Sequence, residues 1–148
     1  MRQSVPQPLD LLGPPELFRF ERFGEWLREL EMQPAAVNVI PLVGHTTLRV
    51  KVMADHQREA TPEECAQMQD LLEEALDEGA FGISTGTFYP PARHASTQEL
   101  LAVCRPLRGR GAVYATHLRD EADGVVPAMQ EALTVGRETG SRVVFSHH

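Results

Sequence analysis

The spacing of apolar and polar residues divides the chain into alternating helical and extended stretches. Residues 1–15 carry Pro6, Pro8, Pro14 and Pro15 with Gly13, so no regular element can run through them and a connecting loop is predicted. From Glu16, the residues Phe20, Phe23, Trp26, Leu27 and Leu30 recur at three- and four-residue steps. That spacing predicts a helix over 16–33 with one buried face, ending before Pro34. Residues 37–43 form a β-branched run that stops at Gly44-His45, as expected of a buried strand, with Pro41 placed where no N–H is needed.

Thr61-Pro62-Glu63-Glu64 has the order of a capped helix start: a hydroxyl cap, a proline at the first helical position and a Glu three residues after the cap. Met68, Leu71, Leu72, Ala75 and Leu76 continue it as a stripe, and Gly79 ends it. A short strand follows over 80–84, broken by Thr85-Gly86-Thr87. Ser96-Thr97-Gln98-Glu99 repeats the capping pattern for a helix that Pro106 should end or kink near Arg105. A third strand is predicted over 112–116, a helix over 126–138 and a fourth strand over 141–146.

Such alternation predicts a parallel sheet with right-handed crossovers. Equivalent strand positions at Val39, Phe81, Val113 and Val143 are 42, 32 and 30 residues apart. These steps fit the repeat of a (β/α)₈ barrel, of which about 250 residues supply eight units. The expected fold is therefore one α/β domain over 1–148, a partial barrel of about four βα units. Two sheet edges would be open, and an inner face carrying Val113, Ala115, Val143 and Phe145 would be uncovered. Self-association through these edges is the expected consequence.

Composition narrows the function. At 42% hydrophobic and 24% charged residues, the chain has enough apolar material for a core. Its net charge of −7 argues against a nucleic-acid partner, which would need clustered cations. No apolar run approaches the about 18 residues of a membrane span and no secretion signal is visible, so a cytoplasmic location is expected. Cys65 and Cys104 both fall in helical patterns, where a small buried thiol is the ordinary use.

Each predicted strand ends in polar residues: Gly44-His45, Ser84-Thr85-Gly86, Thr116-His117 with Arg119, Asp120 and Glu121, and Ser146-His147-His148. In a parallel barrel these tips share the carboxyl-end rim, where active sites are built. By strand alternation Val113, Ala115 and His117 share a face, and Val143, Phe145 and His147 share the same face one unit later. His117 and His147 are thus either a pair of ligands for a divalent metal, most often zinc, or two hydrogen-bonded histidines.

Four motifs carry a resemblance: Val43-Gly44-His45; Gly82-Ile83-Ser84-Thr85-Gly86-Thr87-Phe88-Tyr89-Pro90; Tyr114-Ala115-Thr116-His117-Leu118-Arg119-Asp120-Glu121; and Ser146-His147-His148. In this order and at these separations, from about Val37 to the last residue, the sequence resembles the middle of the N-acyl-D-amino-acid deacylases (D-aminoacylases) of the amidohydrolase superfamily. The resemblance implies a zinc-dependent hydrolase that splits the amide of an N-acyl-D-amino acid, with metal-bound hydroxide as nucleophile. It implies His117 and His147 as metal ligands and Tyr89 as the hydrogen-bond partner of the substrate α-carboxylate.

Around these, His148 points the other way and reads as a packing residue or a support for the metal ligands. Arg119, Asp120 and Glu121 either orient His117 or form a salt-bridge cluster on the rim. Ser84, Thr85 and Gly86 read as a turn rather than a nucleophile, His45 as structural, and His56 and His94 as surface residues. The family's His-x-His pair, its Cys or Glu ligand, the Lys after His148 and the proton-shuttling Asp have no counterpart among these residues. No catalytic acid or base is therefore assigned, and the 148 residues alone are expected to be inactive. The alternatives are a catalytically inactive half-barrel that binds metal or self-associates, and a decayed reading frame.

Overall fold

The computed structural model describes residues 9–146. His147 and His148, like residues 1–8, lie outside the described part. Four parallel strands form one sheet in the order β1 (Val43–Gly44), β2 (Gly82–Gly86), β3 (Val113–His117) and β4 (Arg142–Phe145). The helices are α1 (Phe23–Met32), α2 (His45–Val52), α3 (Pro62–Asp77), α4 (Pro90–Arg93), α5 (Thr97–Val103) and α6 (Val125–Thr139). Parallel neighbours in chain order, joined by helices, are the arrangement of a (β/α)₈ barrel wall, and the chain forms part of one.

Local signals set the long helices. Thr61 accepts from the Glu64 N–H at 3.2 Å while Glu64 takes the Thr61 N–H at 2.8 Å, closing the reciprocal cap of α3. Ser96 caps α5 through the Glu99 N–H. Its partner does not reciprocate, because the Glu99 carboxylate turns into the interior. Helix α5 stops at Val103, and a short 3₁₀ turn, Arg105–Leu107, carries Pro106. Gly140, at φ 69°, ends α6 in the left-handed conformation that glycine adopts without steric cost.

The helices cover one face of the sheet. Met68 and Leu72 of α3, Leu100 and Val103 of α5 and Val135 of α6 are fully buried against Ile83 and Tyr114. Cys65 and Cys104 are free buried thiols in this layer, and burial pushes the Cys104 thiol up to about 12.

Three expectations are corrected. Extended pairing is confined to Val43 and Gly44, opposite Ile83 and Ser84, and does not span 37–43. Val37, Val39 and Ile40 are instead exposed, since this stretch reaches the sheet mainly through the Pro41 carbonyl, which accepts the Phe81 N–H at 2.9 Å. The first long helix begins at Phe23 rather than Glu16, where Glu25 takes the Arg22 N–H, and only Gly24 in it is fully buried. Helix α2 has no counterpart in the hydrophobic pattern, because its buried face is made by His45, Leu48 and Arg49. A buried cation breaks the stripe by which a helix is recognised.

A fourth correction concerns register. Val113 pairs with Arg142, Tyr114 with Val143, Ala115 with Val144 and Thr116 with Phe145. Partners in a parallel pair share a face, so Val143 and Phe145 lie on the helix-covered side with Tyr114 and Thr116. The open inner face carries Val113, Ala115, His117 and Val144, the last 48% exposed. The expected match of Val113 with Val143 is one residue out of register, so Val143 and Phe145 do not share the face of Val113 and Ala115; His147 lies outside the described residues.

Candidate functional site

The four strands end together on one rim. His117 is the last residue of β3, paired with Gly86 at the end of β2. Its side chain is 15% exposed, and Nε2 stands 3.5 Å from Oε1 of Glu121, four residues later in the loop that follows the strand. Two aromatic rings contact the imidazole: Tyr89, with centroids 5.0 Å apart and planes at 45°, and Phe88, at 5.6 Å and 51°. The two rings meet edge to face at 5.6 Å.

Tyr89 owes this position to its neighbours. It lies just past the end of β2, where its N–H donates to the Gly86 carbonyl at 3.1 Å and its own carbonyl accepts from Ala92 and Arg93. A Cβ on Gly86 would come within 2.9 Å of Tyr89 Cδ2, so the missing side chain leaves the space the ring uses. With φ −82° and ψ 148°, Tyr89 has the extended backbone required before a proline.

The remaining predicted residues sort by contact. Arg119 turns away from His117: it donates to Glu131 at 3.0 Å and to the Arg93 and Ala95 carbonyls at 2.9 and 2.7 Å. Asp120 accepts the Ala122 N–H in a local turn. Of the rim charges, Glu121 is the one brought to the imidazole. Ser84 faces the Val43 carbonyl at 3.5 Å, and Thr85 joins the buried hydroxyls of Tyr114 and Thr116 at 3.1 and 2.8 Å, so neither hydroxyl is set beside a base. His94 is exposed, as expected. His56 is half-buried rather than on the surface, with Nε2 buried and lacking a hydrogen-bond partner.

His45 is structural in an unforeseen way. Its Nε2 lies 3.1 Å from Glu99 Oε1, and Arg49 pairs with the same carboxylate, all three side chains being 0% or 1% exposed. Glu99 had the spacing of a helix cap and Arg49 carried no motif, so the pattern concealed both. The one signal was negative: His45 and Arg49, four residues apart, replace apolar residues on what proves to be a buried helix face.

The donor chemistry on the rim fits part of a metal site. His117 offers an imidazole, and the Glu121 carboxylate 3.5 Å from its Nε2 is placed to orient the ring. Among the described residues no three His, Cys, Asp or Glu side chains converge as a metal site.

No protein-family model matches the chain. An N-acyl-D-aspartate deacylase of Alcaligenes xylosoxydans xylosoxydans is 70% identical over 148 residues, which cover 99% of this chain and 30% of that protein. A crystal structure of D-aminoacylase, described as defining a novel subset of amidohydrolases, superposes with a TM-score of 0.94 at 54% identity over 98% of this chain and 31% of that one. The N-acyl-D-glutamate deacylase of Bordetella bronchiseptica, crystallised with zinc and a phosphonate mimic of the tetrahedral intermediate, gives a TM-score of 0.82 at 41% identity, covering 87% of this chain and 27% of that one. The chain thus spans about a third of the length of the relatives it matches. Over that stretch its sequence and its fold match those of the N-acyl-D-amino-acid deacylases, the D-aminoacylase family of the amidohydrolases.

Proposed function

We propose that this chain supplies part of the active-site rim of a zinc-dependent hydrolase that cleaves N-acyl-D-amino acids to a carboxylate and a free D-amino acid. The observation that carries the reading is His117 at the carboxyl end of a barrel strand, in ring contact with both Tyr89 and Phe88 and with Glu121 beside its ring nitrogen. Identity falls from 70% with the D-aspartate enzyme to 54% with D-aminoacylase and 41% with the D-glutamate enzyme. N-acyl-D-aspartate is therefore the substrate to test first.

In this reading His117 holds the metal, together with His147, which lies outside the described residues. Zinc bound there would supply Lewis-acid charge to the scissile carbonyl. Glu121 orients the His117 ring through the nitrogen it faces. Tyr89 donates its phenolic O–H to the substrate α-carboxylate, and the Phe88 and Tyr89 rings keep bulk water from that contact. The proton shuttle is assigned to an Asp beyond these 148 residues.

A graft tests the reading. This chain replaces the matching segment of the N-acyl-D-aspartate deacylase, and release of D-aspartate from N-acetyl-D-aspartate is measured. The graft is expected to hydrolyse the substrate. His117→Ala should cost more than about 100-fold in kcat/KM, the upper end for losing even a residue that merely supports a ligand. Full activity in His117→Ala would overturn the assignment. A graft that binds zinc through His117 but releases no D-aspartate would favour the inactive metal-binding half-barrel.

A further inference from the structure

The buried group formed by Arg49, Glu99 and His45 has no part in the chemistry above. Arg49, wholly buried in α2, uses its guanidinium as a hub. Nε donates to the Pro91 carbonyl at 2.6 Å, Nη2 to the Arg58 and His56 carbonyls at 2.7 and 3.5 Å, and Nη1 to Glu99. Glu99 also accepts the Ala60 N–H at 3.0 Å and faces His45 Nε2. Burial pushes the Glu99 carboxyl up, but the hydrogen bonds from His45, Arg49 and Ala60 outweigh it and hold the group at about 2. The Glu99 carboxylate therefore stays ionised near neutral pH.

Stability alone does not account for such a group, because well-packed apolar side chains in place of a buried ion pair are often as stable or more so. What apolar side chains cannot do is hold backbone carbonyls at set positions. Three carbonyls are held here, and one belongs to Pro91, two residues after Tyr89. Pro90 and Pro91 each have φ fixed by their rings, and Tyr89 is confined to extended backbone by the proline after it. The stretch from Tyr89 to Pro91 is thus stiff, and the place of the Pro91 carbonyl sets the place of the Tyr89 ring.

We propose that Arg49 is a positioning residue for Tyr89: by holding the Pro91 carbonyl from inside the domain, it sets the Tyr89 ring over Gly86 and against His117. Its importance for hydrolysis rests on Tyr89 contacting the substrate, as proposed above. Only a planar fork with several N–H donors can reach Glu99 and the carbonyls of Pro91, His56 and Arg58 at once, and a lysine ammonium cannot replace it.

The test uses the 148-residue chain and reads the Tyr89–His117 ring contact by nuclear Overhauser effect, with the Thr85–Tyr114 contact as internal control. In Arg49→Lys, the Tyr89–His117 effect is expected to be lost while the control and a cooperative thermal melt remain. The double variant Arg49→Leu with Glu99→Leu, which leaves no buried charge unpaired, should behave in the same way. Retention of the ring contact in either folded variant would overturn the proposal. So would loss of the melt in both, since Arg49 would then carry the fold rather than the place of Tyr89. N-acetyl-D-aspartate titrated into the grafted enzyme carrying Tyr89→Phe judges the substrate contact separately: affinity unchanged from the graft sinks that contact and leaves the ring measurement to decide on Arg49.

Discussion

A side chain at Gly86 would collide with the Tyr89 ring at 2.9 Å, and the ring, not the strand, is the part free to move. Gly86→Ala should therefore leave the sheet intact and displace Tyr89 from His117. In the grafted enzyme KM for N-acetyl-D-aspartate is expected to rise about tenfold, the loss of roughly one hydrogen bond to a charged group, with kcat little changed. Steady-state kinetics check this, and an unaltered KM would detach Tyr89 from the substrate. Gly136 offers a contrast at the same scale. Its added Cβ would sit 2.1 Å from Val143 Cγ2, where α6 lies directly on β4. Gly136→Ala should force the helix off the sheet and destabilise by about 1–3 kcal/mol, measurable by denaturant unfolding.

Capping and buried charge act on whole elements. Thr61→Ala removes the hydroxyl that accepts the Glu64 N–H and should cost about 1 kcal/mol, a fall in Tm of about 2–4 °C for a chain of this size. Differential scanning calorimetry tests it. Acid should act through Glu64 and Glu99, both held at about 2 against an ordinary 4.5. Hydrogen bonds from Arg58 and the Thr61 N–H depress Glu64; those from His45, Arg49 and Ala60 depress Glu99 against the opposing effect of burial. Above 4.5 both carboxylates are ionised whether the chain is folded or not, and their stabilisation is fully present. Below it the unfolded chain takes up protons that the folded chain refuses, so stability falls as pH drops from about 4.5 towards 2. A flat midpoint of urea unfolding over that window would contradict the two assignments.

The molecule as a whole presents a parallel sheet covered on one side. Strands β1 and β4 are the ends of the order, each with one paired neighbour among the described residues, and the inner face holds Val113, Ala115 and the exposed Val144. Phe81, just before β2, and Phe88, just after it, are also about half exposed. Open edges and an uncovered apolar face favour pairing with another copy. Light scattering after size-exclusion chromatography should give a mass above 16.5 kDa, falling when Val144→Lys puts charge on the inner face. A monodisperse monomer at that mass would exclude self-association.

Periodicity and end signals made much of this architecture legible in advance. The Thr61 and Ser96 caps, the stop at Pro106, the stripe of α3 and the polar residues closing each strand are local facts, since each depends on atoms within one or two helical turns. The rim with His117 and Tyr89 follows from them together with the parallel order. Other features depended on partners far away in the chain. Whether Val143 lies beside Val113 or Tyr114 is decided by pairing across a crossover, and a slip of one residue exchanges the two faces of a strand. Residues 37–42 have strand-like composition but stay out of the sheet, while the eight residues of α2 are helical around a buried arginine whose partners lie 7 to 50 positions away. Local pattern records what each segment can bury. Which charge is buried, and which carbonyl it holds, is settled only when distant segments close around it.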